Sequence, residues 1–188
     1  MFMDESARIP EAAERLHYEK HENTPDNPGY VGMFREFIDR AVRPHHPEIR
    51  TALDFGCGPG PVLAALLAAE GTDVTVYDPF FAPDAAYRLK TYDLITATEV
   101  FEHLSDPAGT AGHLAGLLNP GGLLALMTLF HPGDSGITDW WYRRDPTHIS
   151  FFRPATLMRM AEQSRLRCVY QDTKRICVMK KETGEYHG

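Results

Sequence analysis

The sequence has few cysteines and no long apolar segment. Its 188 residues include only three cysteines, Cys57, Cys168 and Cys177, which follow no metal-binding spacing. Because the number is odd and small, we expect reduced thiols and a cytoplasmic protein. No apolar run is long enough to cross a membrane, and the first residues lack the apolar region of a signal peptide. These absences argue against a disulfide-stabilised secreted domain and against a membrane partner.

Basic residues are also scarce in most of the chain. The formal net charge is −7, and residues 1–138 contain 9 Lys and Arg against 20 Asp and Glu. Residues 139–188 have the opposite balance, with 10 Lys and Arg against 6 Asp and Glu. Binding of nucleic acid without sequence preference requires a basic surface. We therefore expect no nucleic-acid partner, whereas the basic last quarter would suit an anionic small molecule or is scattered surface charge.

Apolar segments separated by glycine- and proline-rich turns predict an alternating α/β fold. Strands are expected in ALDF, DVTVYD, YDLITATEV and GGLLALMTLF, with helices between most of them. This alternation is typical of a doubly wound, mostly parallel sheet. Two β-rich runs, LRCVYQ and KRICVMK, predict a closing antiparallel hairpin. If that hairpin turns at Asp172 and Thr173, Cys168 faces Cys177 directly.

The most informative stretch is TALDFGCGPGPVLAALLAAEGTDVTVYDP, residues 51–79. A strand, a glycine turn and a helix place bare backbone N–H groups where a ligand can approach closely. Asp78 lies 22 residues after Gly56, where an acid can accept hydrogen bonds from ribose hydroxyls. Pro61 stands where the dinucleotide pattern needs its third glycine, and the Lys of a P-loop is missing. The stretch therefore predicts a nucleoside-binding unit.

The quoted motifs carry a family resemblance. ALDFGCGPG with VYDP resembles the first two motifs of class I S-adenosylmethionine (SAM)-dependent methyltransferases, and YDLITATEVFEHL and LLNPGGLLALMT are similar to the next two. The resemblance implies a Rossmann-like sheet and an enzyme that uses SAM and releases S-adenosylhomocysteine. It also implies one methyltransferase domain over residues 1–188, divided into an N-terminal helical cap (1–47), a cofactor-binding core (50–130), a substrate-side connection (131–153) and a closing helix and hairpin (154–181).

The resemblance implies roles for individual residues. Asp54 would lie near the methionine amino group, and Asp78 would hold the ribose hydroxyls. The other cofactor contacts would come from the glycine loop and from the ends of the second and third strands: Gly56, Cys57, Gly58, Gly60, Pro79, Phe80, Thr98, Glu99 and Val100. Simpler roles are open for two of them, since Asp54 could cap the loop and Glu99 could be an exposed acid at a helix start.

One departure from the family pattern concerns the edge of the sheet. Only thirteen residues separate Asp78 from Tyr92. Most of the family has a helix and another strand there, with an acidic residue at the adenine amino group. Because a full crossover needs a dozen or more residues before its strand, we expect the sheet to lack that edge strand. Phe80 and Phe81 are then candidates for contact with adenine.

The segment DWWYRRDPTHISFF is the most unusual part of the chain, and we predict that it binds the acceptor. The expected acceptor is a small molecule methylated at O, N or C, with His148 as the base. The residues expected to bind it are Tyr30, Trp140, Trp141 and Tyr142, with Arg143 and Arg144 meeting an anionic group. These residues could also have purely structural roles: the two tryptophans could pack in the core, and His148 could hold a turn. Tyr18, His21 and Asn23 either close over the cofactor with Tyr30 or form an ordinary helix end and loop.

The run TEVFEHL allows a different interpretation. Glu99, Glu102 and His103 have the spacing of the metal ligands in small-RNA 3′-end ribose 2′-O-methyltransferases, which this fragment resembles, with His148 or His131 as a further ligand. A similar run occurs in metal-free members of the superfamily, and the acidic body disfavours RNA. We therefore expect no bound metal. Another alternative is a non-catalytic module, which would bind SAM without turning it over.

Overall fold

The computed structural model describes residues 9–19, 24–46, 48–133, 136–137 and 139–183. His21 and Asn23, which the sequence suggested as cofactor-closing residues, lie outside these ranges. Two helices, α1 (Glu11–Tyr18) and α2 (Pro28–Phe37), precede the first strand, and α2 continues into a π-helical turn, Ile38–Val42. The side chain of Asn27 caps α2, because its Oδ1 accepts hydrogen bonds from the first free N–H groups of the helix.

A six-stranded sheet forms the centre of the fold. Its strands are β1 (Thr51–Phe55), β2 (Asp73–Tyr77), β3 (Tyr92–Thr98), β4 (Leu118–Met127), β5 (Leu166–Gln171) and β6 (Ile176–Lys181). The spatial order is β2-β1-β3-β4-β6-β5. The first four strands are parallel, and β6 is antiparallel to both of its neighbours. The predicted mostly parallel sheet with a closing antiparallel hairpin is confirmed.

Helices cover both faces of the sheet. On one face α2 and α3 (Val62–Ala69) pack through Phe37, Leu63 and Leu67. On the other face α4 (Pro107–Leu117) and α5 (Pro154–Gln163) pack through Leu114 and Leu157. Burial on both faces explains why the central strands are continuous apolar runs. None of the described helices is long and apolar enough to cross a membrane.

The predicted loss of one edge strand is confirmed, and β2 is the edge of the sheet. Between Asp78 and Tyr92 the chain forms a short 3-10 helix, Ala85–Leu89. Tyr87 from this helix is buried, and its ring packs against those of Phe55 and Tyr77. The hydroxyl of Tyr92 donates a hydrogen bond to the Tyr87 carbonyl at 3.0 Å. An aromatic cluster thus anchors the segment that replaces the missing strand.

The predicted register of the closing hairpin is wrong. Cys168 lies opposite Met179, and Cys177 lies opposite Gln171. The connection between β5 and β6 has four residues, 172–175, where a two-residue turn was expected, and β5 has an irregularity after Cys168. Cys177 is two residues from Met179, the partner of Cys168, so both cysteines lie on one face of the hairpin. Their Sγ atoms lie 4.0 Å apart as free thiols.

The carboxylate of Asp172 organises this four-residue connection. Its Oδ1 accepts hydrogen bonds from the backbone N–H groups of Lys174, Arg175 and Ile176 at 2.9, 2.7 and 2.8 Å. Burial by itself would raise the pKa of Asp172, but the amide donors outweigh it and the pKa lies below its usual value. The turn is therefore set by a side chain bonded to its own backbone.

We predict that Asp172→Ala lowers the free energy of unfolding at pH 7 by about 1–3 kcal/mol, because three N–H groups lose their acceptor. Since the folded-state pKa is depressed, the contribution is present above the ordinary aspartate pKa and is lost as the pH falls through the folded-state value. Urea unfolding at neutral and acidic pH measures both effects. Asp26→Ala, at an exposed turn residue, is the control. Equal effects of the two changes at pH 7 would contradict the assignment.

Candidate functional site

A cavity of about 680 Å³ opens at the carboxyl ends of β1, β2 and β3. β1 and β3 are neighbours, but the chain leaves β1 towards one side of the sheet and β3 towards the other. Such a switch point leaves a crevice in which open α/β sheets bind ligands. Every residue that the sequence predicted as a cofactor contact lines this cavity: Asp54, Gly56, Cys57, Gly58, Gly60, Asp78, Pro79, Phe80, Thr98, Glu99 and Val100.

The glycine loop after β1 needs its first two glycines for different reasons. Both have positive φ, +77° at Gly56 and +64° at Gly58. A Cβ at Gly56 would lie 2.4 Å from Cγ2 of Val100, so this glycine lets the loops after β1 and β3 touch. A Cβ at Gly58 would meet no atom within 4 Å. The backbone at Gly58 is therefore bare where it borders the cavity.

Asp78 ties the glycine loop to the end of β2. Its Oδ2 accepts a hydrogen bond from the Gly58 N–H at 3.0 Å, and its Oδ1 accepts from Phe80 and Phe81 at 2.8 and 3.1 Å. The residue is 7% exposed and borders the cavity. A carboxylate has about four acceptor sites, so capacity remains for the hydroxyls of a ligand.

Asp54 is the buried acid at the end of β1. It receives a hydrogen bond from the Thr96 hydroxyl on the neighbouring strand β3 at 2.9 Å. Burial raises the pKa of Asp54 to about 6. A carboxylate in this position is poorly solvated, and a cationic ligand group beside it would stabilise the ionised form.

Two glutamates share the hydroxyl of Tyr142 at the end of β3. The hydroxyl lies 2.8 Å from Oε2 of Glu99 and forms a second hydrogen bond with Oε1 of Glu102. Glu102 is fully buried, whereas Glu99 keeps an open surface towards the cavity and has a φ of +54°, which is costly for a non-glycine residue. Desolvation, and then the neighbouring Glu102, raise the pKa of Glu99 to about 8, and burial also raises the pKa of Glu102. The pair therefore favours holding a proton at neutral pH.

His103 and His148 lie side by side, with ring centroids 4.8 Å apart. Nδ1 of His103 donates to the Thr147 carbonyl at 3.0 Å, and Nδ1 of His148 donates to the Tyr142 carbonyl at 2.7 Å. Desolvation lowers the pKa of both rings, that of His148 to about 4. Because a carbonyl can only accept, both neutral rings have their lone pair on Nε2.

The connection after β4 forms one side of the cavity, but only some of the predicted acceptor residues line it. Trp141, Tyr142 and His148 line the cavity, and Tyr30 lines it from α2. Trp140 instead packs its ring against His131, Tyr142 and Phe151. Arg143 and Arg144 are exposed and do not line the cavity. The structure therefore does not bring Trp140 or the arginine pair to the position that the sequence suggested for them.

Helix α1 brings to the cavity Tyr18, which the sequence suggested, and adds Glu14 and His17 to the site, which the sequence did not indicate. Glu14 lines the cavity, and its Oε1 accepts a hydrogen bond from the Tyr18 hydroxyl at 2.8 Å. The ring of Tyr18 contacts Phe80 and His103, and Nε2 of His17 lies 3.1 Å from Oδ2 of Asp145. Spacing of three and four residues along α1 puts these side chains on one helix face, which is the signal that could have indicated them.

Acidic side chains dominate the cavity wall. Five described lining residues are acids: Glu14, Asp54, Asp78, Glu99 and Asp145. None of the described lining residues is Lys or Arg. A cleft lined by one sign of charge concentrates ligands of the opposite sign, so the cavity favours cationic groups.

The cavity and fold match a known family. Residues 29–171 match the family model described as a methyltransferase domain, which is most of the chain. The chain belongs to this methyltransferase-domain family. Among curated relatives of this domain, the ubiquinone biosynthesis O-methyltransferases of Citrobacter koseri and of Escherichia coli K12 are each 30% identical over 151 residues. The matches cover 63% of this chain and 62% of each relative, so the chain spans less than two thirds of their length.

Solved structures agree with the methyltransferase-domain assignment at the level of the fold. Streptomyces venezuelae DesVI aligns with a TM-score of 0.62 and 15% identity, covering 93% of this chain and 99% of that one. Human N-acetylserotonin methyltransferase, solved in complex with SAM, aligns with a TM-score of 0.59 and 16% identity, covering 80% and 52%. At these identities the similarity shows a shared Rossmann-like methyltransferase fold.

We predict that alanine is tolerated less at Gly56 than at Gly58. Positive φ should cost each variant about 1–2 kcal/mol of unfolding free energy. Gly56→Ala should cost about 1–3 kcal/mol more, because its Cβ would overlap Val100. Urea unfolding measures both, with Gly32→Ala in α2 as the control, since a Cβ there meets nothing within 4 Å. Equal losses at Gly56 and Gly58 would contradict the proposed contact between the two loops.

Proposed function

We propose that this chain is a SAM-dependent methyltransferase that acts on a small-molecule acceptor. The observation that carries the proposal is the meeting of Asp78 and the glycine loop at one cavity at the switch point of the sheet. The residues fit the cofactor, because the bare backbone at Gly58 leaves room for a ligand that a Cβ would take. Membership of the methyltransferase-domain family supports the same activity.

Different cavity residues would bind different parts of the cofactor. Asp78 would accept hydrogen bonds from the ribose hydroxyls, Asp54 would pair with the methionine amino group, and Phe80 would lie beside adenine. SAM supplies a methyl group on a positively charged sulfur, and S-adenosylhomocysteine is left as the product. The five acids of the wall suit the positive charges of its sulfonium and amino groups.

The acceptor would lie between the cofactor and the connection after β4. Trp141 is 66% exposed and presents an aromatic wall there, beside Tyr142 and His148. The described lining residues contain no Lys or Arg, so we propose a neutral acceptor in place of the anionic one that the sequence suggested. His148 is neutral and faces this side, and it is the residue we assign to handling the acceptor's proton.

Two other functions would use the same cavity. A non-catalytic module would bind SAM and never release S-adenosylhomocysteine, so turnover separates it from an enzyme. An RNA ribose methyltransferase would need to bring a polyanion to an acidic wall, which the charge of the lining residues disfavours. A small neutral acceptor faces no such repulsion.

We predict that SAM binds with a free energy of about −8 kcal/mol, a low-micromolar Kd. Asp78→Ala should weaken binding about 10- to 100-fold, because charge-assisted hydrogen bonds to the ribose are lost. Calorimetry measures both, with circular dichroism to check folding and Asp73→Ala, at the exposed first residue of the strand that Asp78 follows, as the control. Tighter binding of NAD than of SAM, or an unchanged Kd in Asp78→Ala, would reject the assignment.

We predict that Trp141→Ala retains SAM binding and loses most methyl transfer, because the exposed ring contacts the acceptor and not the cofactor. Transfer is measured with methyl-labelled SAM against fractionated metabolite extract and, separately, small RNAs. Label in a metabolite fraction supports the proposal. Label confined to RNA would favour the RNA function, and SAM binding without turnover on either source would favour the non-catalytic module. Arg144→Ala, at an exposed residue of the same segment, is the matched control.

A further inference from the structure

Two of the three cysteines form a close pair in the closing hairpin. The Sγ atoms of Cys168 on β5 and Cys177 on β6 lie 4.0 Å apart, and both residues are free thiols. Cys177 is 0% exposed and belongs to the core that α4 and α5 cover, whereas Cys168 is half-buried on the edge strand of the sheet. A small reagent can therefore reach one sulfur of the pair, while the other sulfur is shielded.

The backbone of β5 is irregular next to Cys168. This residue lies opposite Met179 on β6, but Tyr170, two residues further along β5, lies opposite Val178, so β5 has one extra residue. Such a bulge bends its strand and leaves part of the ladder unpaired. A disulfide bond is about 2.05 Å long, so the two sulfurs need to approach by about 2 Å. The bulge gives the hairpin a flexible point at which that adjustment can be made.

The environment gives the two thiols different reactivity. Their mutual hydrogen bond lowers the pKa of Cys168 and raises the pKa of Cys177, and burial contributes further to the rise at Cys177. Because the thiolate is the nucleophile, Cys168 is the sulfur that reacts first. Burial raises the pKa of Cys57 to about 12, and β3 and β4 lie between its strand, β1, and the hairpin. The third cysteine therefore neither competes for an oxidant nor reaches the pair.

The turn of the hairpin holds the beginning of the connection after β4. The N–H of Thr128 donates a hydrogen bond to the Arg175 carbonyl at 2.9 Å. The N–H of Phe130 donates to the Lys174 carbonyl, also at 2.9 Å. Both carbonyls belong to the turn between β5 and β6, and both donors lie where the chain leaves β4. The path of the connection thus starts from the hairpin.

The hairpin also holds the end of the same connection. Gln171 lies directly opposite Cys177, and the two side chains are hydrogen-bonded. Nε2 of Gln171 donates to the Pro154 carbonyl at 3.3 Å, at the first residue of α5. A change at the Cys177 sulfur therefore reaches the end of the connection through one side chain.

We propose that Cys168 and Cys177 form a reversible disulfide when a hydroperoxide oxidises the chain, and that this bond strengthens the hold of the hairpin on the connection after β4. Cytoplasmic disulfides in other proteins are commonly redox sensors of this reversible kind. The modification would act on the wall of the cavity from a distance, because the connection carries Trp141 to that wall.

The oxidation proceeds in two steps. The Cys168 thiolate attacks one peroxide oxygen and the O–O bond breaks, which leaves a sulfenic acid on Cys168. The other oxygen leaves and takes up the proton that Cys168 lost. The Cys177 sulfur then attacks the Cys168 sulfur, the S–O bond breaks, and the oxygen leaves as water with the Cys177 proton. Each sulfur loses one electron, the peroxide gains two, and a dithiol reverses the bond by exchange.

Treatment of the full chain with hydrogen peroxide tests the disulfide without SAM or an acceptor. The reduced chain has three free cysteines. After the remaining thiols are alkylated in denaturant, peptide mass spectrometry should find Cys168 linked to Cys177 and Cys57 alkylated. Dithiothreitol should restore all three thiols. Cys57→Ser is the matched control and should form the same link, whereas Cys168→Ser should form none.

Amide hydrogen exchange tests the effect on the connection. Local opening of the hairpin frees the N–H groups of Thr128 and Phe130, and a cross-link between β5 and β6 makes that opening rarer. We expect exchange at these two amides to slow by at least about 10-fold in the oxidised chain. The amides of β2, at the opposite edge of the sheet, are the control and should not change.

The outcomes separate the two parts of the proposal. Three thiols that survive excess peroxide, a bond that involves Cys57, or oxidation of Cys168 and Cys177 without a link between them overturns the site. If circular dichroism shows that Cys168→Ser does not fold, the link mapped in wild type and in Cys57→Ser decides. A disulfide that leaves exchange at Thr128 and Phe130 unchanged, or makes it faster, supports the site and overturns its effect on the connection.

Discussion

The parallel pairing of β1 with β3 is the constraint on which the rest of the structure depends. Because the two strands run side by side and end at the same edge, the glycine loop and the Thr98–Val100 segment emerge next to each other. After β1 the chain continues to β2 on one side of this pair, and after β3 it continues to β4 on the other side. The crevice between these departures is the cavity, and each functional residue is placed relative to it.

Close contact between the two loops explains several unusual local features together. Gly56 has a positive φ, and the side chain of Val100 leaves no space for a Cβ at this position. Glu99 also has a positive φ, although it is not a glycine. Strained backbone of this kind persists where surrounding contacts impose it, and it is concentrated at functional sites. Asp78 then joins the glycine loop to β2, so the floor of the cavity is held from three strands.

The part of the site that lies within short sequence segments was predictable. Short local motifs determine the geometry of the glycine loop, of Asp78 and of the end of β3. The number of residues between Asp78 and Tyr92 was enough to predict the missing edge strand. The hairpin register was not predictable, because it depends on the carboxylate of Asp172 accepting three backbone N–H groups. The convergence of His148 with Glu102 depends on the path of a long connection, and the contribution of α1 depends on its docking against Asp145.

Binding of SAM in the crevice between the two loops can be tested residue by residue. Amide chemical shifts of the ¹⁵N-labelled chain are recorded while SAM is added. We expect the largest changes at the amides of Gly56, Gly58, Phe80 and Glu99, with little change at Gly121, which lies near the start of β4 away from the cavity. Saturating SAM that leaves these four amides unchanged, or that shifts amides elsewhere instead, would contradict it.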